Sequence, residues 1–245
     1  MKRIILLLIS IISTGGFFNS CSSFLEEKPV DRFVVGNFYT DQKGAEAGVS
    51  AVYNVLRSVY GRNMDIFNSL LTDDEKNGLG MPNQFLQDLE YLRHTSENTF
   101  VSSMWQVHYQ GVSRANTVIE IVPQISMDET IKNRLIAESR FLRALFYFNL
   151  VRFYGDVPLL ISLESSLTDA MGPRTSKELV YQQIIDDLTF AENNLPVSYP
   201  ATEVGRATKG AAKILMGKAY LTMGNYPLCV AKLAEVIESE ASYGY

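Results

Sequence analysis

Phe141-Leu142-Arg143-Ala144-Leu145-Phe146-Tyr147-Phe148-Asn149-Leu150-Val151-Arg152-Phe153 is apolar at every position but Arg143, Asn149 and Arg152. A helix without a polar face must be covered on several sides. The run therefore predicts the centre of a helical stack. The helix is expected to open at Ser126, which reads as a capping box with Glu129, and to continue to Tyr154, just before Gly155.

Helical spacing extends outward on both sides. Ala45, Val49, Val52, Leu56 and Val59 recur at helical intervals before Gly61, a good stop. A second helix is predicted over residues 99–121, with a stripe of Val101, Trp105, His108, Tyr109, Val112 and Asn116, and Pro123 ends it. Downstream, Thr175 and Glu178 read as another capping box, opening a helix from Ser176 to Leu195. Thr208 to Met223 follows, and Pro227 suits the first residue of a last helix reaching about Glu240.

Two segments look alike. Residues 145–158 (LFYFNLVRFYGDVP) and 214–227 (ILMGKAYLTMGNYP) each run an apolar helix into Gly, then Asp156 or Asn225, with Pro two positions later. Ala212, Gly217, Ala219, Tyr220, Gly224 and Tyr226 resemble the small-and-aromatic pattern of tetratricopeptide (TPR) helix pairs. The expected fold class is all-α: a TPR-like stack of helical hairpins with long irregular loops. Its TPR-like pairs fall at about 126–240, one repeat stretched by the Gly155–Arg174 loop and the next regular. Such stacks mostly bind partners along a concave surface.

Composition narrows the function classes. A length of 245 residues suits about one to two domains, and 47% hydrophobic with 20% charged residues is an ordinary globular mix. With 22 basic against 27 acidic residues, nucleic acid is not an expected partner. Two cysteines and two histidines are too few for a zinc or iron–sulfur site, so neither a metal nor another cofactor is expected.

The N-terminus reads as an export signal over residues 1–20. Lys2 and Arg3 precede an apolar run from Ile4 to Ile12, which is too short to span a bilayer. Phe18-Asn19-Ser20-Cys21 resembles the lipobox of bacterial lipoproteins, with Phe18 where an aliphatic residue is usual. Cys21 is thus the expected lipidation site, and residues 21–39 form a tether ahead of a helical domain over 40–245. The alternative, a disulfide with Cys229, would tie a tail to a late helix, a poor use of a crosslink.

Larger motifs now converge. Cys21 with Phe24-Leu25-Glu26 and Pro29, then Trp105-x3-Tyr109-x2-Val112-x2-Ala115-Asn116, then residues 137–148 (AESRFLRALFYF), Tyr154-Gly155-Asp156-Val157-Pro158 and residues 205–212 (GRATKGAA) together resemble the N-terminal half of SusD/RagB proteins. The resemblance implies an outer-membrane, lipid-anchored, surface-exposed protein of Bacteroidota-type bacteria. It further implies binding of oligosaccharides, less often peptides, delivery to a SusC-like TonB-dependent transporter contacted by the TPR-like helices, and no catalysis. Family members are usually much longer, so the helical domain is expected to be C-terminally incomplete relative to them.

Candidate ligand residues lie in Gly61–Glu97, a long stretch without a long helical pattern. The family's glycan site draws on the corresponding stretch, between an Asp-containing segment and the Trp-x3-Tyr helix. Sugars are held by flat aromatic faces and planar amides, which points to Asn77, Asn83, Phe85 and Tyr91. A plainer alternative makes 83–92 a short amphipathic helix with Phe85, Leu89 and Leu92 packed inward, its asparagines serving turns. Asp73-Asp74-Glu75 could suggest paired hydrolytic carboxylates, but consecutive acids read better as a solvated turn. Trp105, His108, Tyr109 and Asn116 suggest a packed face rather than a base with partners. Arg140, Arg143 and Arg152 are expected to pair with acids such as Glu138, and Cys229 to be a buried free thiol. Two rival functions remain: a TPR-like docking scaffold without its own ligand site, and an exported carbohydrate-active enzyme.

Overall fold

Asp41 opens the helical body: its carboxylate accepts the Gly44 N–H at 2.8 Å and starts α1 (Gln42–Val59). A computed structural model describes residues 38–78, 83–163 and 172–239. The predicted signal, Cys21 and nearly all of the tether lie outside the described residues. Seven further α-helices follow among them: α2 (Arg62–Leu70), α3 (Gln84–Glu90), α4 (Thr99–Ile121), α5 (Glu129–Tyr154), α6 (Lys177–Asn194), α7 (Lys209–Thr222) and α8 (Tyr226–Glu238). Extended pairing among the described residues is limited to one bridge, Val157 with Thr175.

Helix α5 is the centre. It packs against α4 on one side and α6 on another, α1 lies against both α4 and α5, and α7 joins α6 to α8. Fourteen of its 26 residues are buried, including Phe146, Tyr147, Leu150 and Val151. Close approach to α4 depends on Gly111, because a Cβ there would fall inside the Phe146 ring. Over the described residues from 39 to 239 the fold is the all-α, TPR-like stack that the apolar run predicts.

The helix starts depart from expectation in two places. Asp128, not Ser126, caps α5, accepting the N–H groups of Thr130 and Ile131 at 2.9 and 3.1 Å. It lies closer to the first helical turn and carries a stronger acceptor. Likewise, Thr175 does not cap α6, because its backbone is bridged to Val157. The first free N–H of α6, on Lys177, is taken instead by the Asp156 carboxylate at 2.9 Å. Asn225 does the same for α8 from next door, accepting the Leu228 N–H. Gly155 and Gly224 both take the left-handed conformation, with φ of 69° and 74°. The two similar segments therefore share a device: a helix, a left-handed glycine, then a polar residue capping the next helix. In the first copy that helix has been carried to the far end of a long loop.

Most polar groups inside the stack are paired, with His108 Nε2 a buried exception. Arg143, only 3% exposed, donates through Nε and Nη2 to the wholly buried Asp187 carboxylate, both at 2.7 Å. Its Nη1 reaches Asn116 Oδ1 at 2.8 Å and the Ile161 carbonyl at 3.0 Å. Arg143 thus pairs with an acid as expected, with Asp187 rather than Glu138, which sits five residues earlier and so on another side of α5. Glu138 accepts from Arg206 Nη1 at 3.0 Å, with Arg134 Nη1 at 3.5 Å, which pins the α6–α7 connection to α5. Arg140 lies 3.9 Å from Asp187 and over the Phe190 ring. Arg152 departs from the expected acid pairing and lies over Phe148.

Candidate functional site

The stretch without a long helical pattern contains two short helices, the second of them where the plainer alternative puts one. α2 and α3 share a small core of Ile66, Leu70, Leu86 and Leu89, onto which Phe100 and Val101 of α4 pack. This core holds α3 against the first turn of α4. Asn98 then locks the joint. Its side-chain oxygen accepts the Phe100 N–H at 3.0 Å and its amide donates to the Phe85 carbonyl at 2.8 Å.

The four predicted ligand residues fare differently. Asn83 is the N-cap of α3, its oxygen accepting the N–H groups of Phe85 and Leu86 at 3.0 and 3.4 Å. The backbone N–H of Asn77 donates to Glu90 at the far end of α3, at 3.2 Å. Phe85 and Tyr91 are 40% and 63% exposed. They stand about 9 Å apart along the helix axis and about 120° apart around it. One short helix carries both rings, though not on one face.

A charged array surrounds Tyr91. Asp88 accepts from Gln84 Nε2 and from Arg93 Nε, both at 2.8 Å, and the Arg93 guanidinium lies 5.2 Å from the Tyr91 ring centre. The Arg93 hydrogen bond, and then that of Gln84, holds the Asp88 carboxyl below its ordinary range. Asp73, Asp74 and Glu75 are exposed in a turn, where the Asp74 N–H donates to Thr72 Oγ1. They do not face one another across a cleft. No cluster of three or more metal-ligating side chains occurs among the described residues.

The Trp105 face of α4 is half interior, half surface. His108 and Asn116 are buried, and His108 Nδ1 lies 2.6 Å from the Met104 carbonyl, so that nitrogen carries the proton. Its other side is enclosed by the edge-on rings of Phe146 and Phe153, and burial lowers its pKa. Among the described residues, no acid or nucleophile is placed to use it as a base. Trp105 and Tyr109 instead reach a surface groove of about 420 Å³, their ring centres 4.9 Å apart. The stripe on α4 reads in the sequence as interior packing, and half of it is surface. The signal for that surface is the i, i+4 pair Gln106 and Gln110 beside the two rings. Cys229 is a buried free thiol, as expected.

Comparison with known proteins adds the family. Residues 23–221 match a SusD-like family model described as starch-binding associating with outer membrane. A SusD-like protein of Bacteroides ovatus is 31% identical over 223 residues, covering 89% of this chain and 40% of the relative. SusD-like protein P38 of Formosa agariphila is 31% identical over 197 residues. A laminarin-binding SusD-like protein of known structure superposes with a TM-score of 0.74 at 32% identity, over 81% of this chain and 44% of the other. The chain thus spans about two-fifths of the length of these relatives. With the capped α5 core, the paired glycine turns and matches over most of the sequence in agreement, the chain belongs to the SusD-like family.

Proposed function

We propose that this chain is a non-catalytic, glycan-binding outer-membrane lipoprotein, held at the cell surface by lipid on Cys21 through the tether of residues 21–39. In this reading it passes neutral oligosaccharides to a SusC-like TonB-dependent transporter. The observation that carries it is the likeness to a laminarin-binding SusD-like protein over most of the chain. The exposed rings of Phe85 and Tyr91 supply flat apolar faces of the kind sugars stack on. Asn77 lies beside α3 as a further candidate contact, and Asn83 serves the site by holding Phe85 in place. Isothermal titration with laminarin and starch oligosaccharides tests the reading, with saturable heat and no released sugar expected. Steady hydrolysis, or no heat with any glycan, overturns it. Labelling with a palmitate analogue is expected to mark Cys21 in cells and to vanish in Cys21→Ser.

A docking scaffold is the second reading, and α8 favours it. Tyr226, Val230 and Ile237 fall on one stripe of that helix and are 63%, 68% and 73% exposed. Capture of a transporter without any sugar binding is the result that would prefer it.

A further inference from the structure

The α4 groove carries an inference of its own, resting on the glycan-binding reading. Its floor is Trp105 and Tyr109, and its far wall includes Pro158 and Leu160. Among the described residues, no charged side chain lines it. Polar accounting then separates what is spent from what is free. The Tyr109 hydroxyl donates to the Pro158 carbonyl at 2.7 Å. Asn116 is used up: its amide donates to the carbonyls of Leu160 and Ser162 and its oxygen accepts from Arg143. Arg174, beside the Trp105 ring, donates to the carbonyls of Tyr154 and Asp156.

Three side chains on the rim remain. Gln106, Gln110 and Ser113 are exposed, and their side chains have no hydrogen-bond partner among the described residues. They follow one another at i, i+4 and i+7 along α4, so they form a row roughly 10 Å long on one side of the aromatic floor. Each amide offers both a donor and an acceptor, and the hydroxyl offers both as well. An aromatic floor of two rings tilted 44° to one another, a lining of uncharged side chains and a row of two-way hydrogen-bonding groups fit a ring with one C–H face and hydroxyls at its edge. Among the described residues no carboxylate lines the groove to hold a cation, the nearest cation, Arg174, is already turned to two carbonyls, and a purely aliphatic ligand leaves the amides unmatched. The volume is within the range of small-molecule sites.

We propose that this groove is a second glycan-binding site, in which a neutral sugar ring stacks on Trp105 and its hydroxyls bond to Gln106 and Gln110. The site is separate from the α3 surface. α3 abuts only the first turn of α4, and the groove shares no residue with Phe85 or Tyr91.

Trp105 is the sole tryptophan of the chain, so its emission reports on the groove directly. Laminari- and malto-oligosaccharides are titrated into the protein with fluorescence and calorimetry read in parallel. The expected result is a saturable shift in emission. In Gln106→Ala/Gln110→Ala its midpoint moves by about tenfold or more, with an unchanged melting temperature. Phe85→Ala/Tyr91→Ala should leave that midpoint where it was. Heat of binding with flat emission overturns the groove and leaves glycan binding at α3 intact. A shift that ignores both glutamines also overturns it. A shift produced by a proline-rich peptide and by no sugar shows that the ligand class is wrong. Neither heat nor shift with any sugar sinks both this proposal and the function it rests on.

Discussion

Helix α5 and helix α3 use polar residues in opposite ways. In α5 the charged groups Arg143 and Glu138 are sealed inside, and each is matched by partners from other elements. In α3 only Leu86 and Leu89 are buried, while Asp88, Arg93 and Tyr91 interact in the open. The first arrangement fixes how helices register against one another, because a buried charge that loses its partner is severely penalised. The second holds rings at a surface for little stability. A mutation in α5 should therefore register in folding, and one in α3 in binding.

The sharpest way to break this contrast is to unpair the centre. Arg143→Ala or Asp187→Ala leaves one buried charge alone and is expected to cost about 3–5 kcal/mol in urea unfolding. Arg143→Met with Asp187→Leu, which removes both charges, should recover much of that loss. If either single variant melts like the parent, the ion pair does not organise the stack. Next in size is Gly111→Ala, whose new methyl would intrude on Phe146. It should cost about 1–3 kcal/mol by overpacking, whereas a substitution at Gly78, where nothing lies within 4 Å, should cost little on packing grounds.

His108 sharpens the comparison by pH. Burial puts its folded pKa below the ordinary 6.5, so below that pH the unfolded chain takes up a proton that the folded chain refuses. Stability is then fully present above 6.5 and falls as the pH drops, by up to about 1.4 kcal/mol per unit. The fall stops once the folded imidazole also protonates. The lowered carboxylates Asp88 and Glu235 act in a more acid window, below their ordinary values of 3.8 and 4.5. His108→Met should flatten the slope between pH 6.5 and about 5, measured by urea midpoints.

What could be read from the sequence follows range. Helix α4 matches its predicted ends because Asn98 caps it locally and Pro123 stops it. Asp156 capping α6, and Asp187 reaching Arg143, involve partners 21 and 44 residues apart, and no local pattern encodes such pairs. The α3 error is one of phase. Phe85, Leu89 and Leu92 form a plausible i, i+4, i+7 stripe, yet the helix turns Leu86 and Leu89 inward, a rotation of about 100° for one residue. Seven residues are too few to fix the phase. The helix also ends at Glu90, and Leu92 leaves it at a φ of 52°.

That phase error makes the smallest expected effect the most informative. Asn83→Ala removes the cap of α3 and should cost about 1 kcal/mol, weakening sugar binding only by loosening Phe85. Asn83→Asp or Asn83→Ser keeps a capping oxygen, so both stability and affinity should return with it. Phe85→Ala and Tyr91→Ala, at exposed positions, should each change stability by no more than about 0.5 kcal/mol. If the rings serve a ligand, the same two variants should lower the heat of glycan binding while the melting curve stays put. Affinity unmoved by both ring deletions would make α3 a surface like any other, and would leave the Trp105 groove to carry the glycan-binding reading.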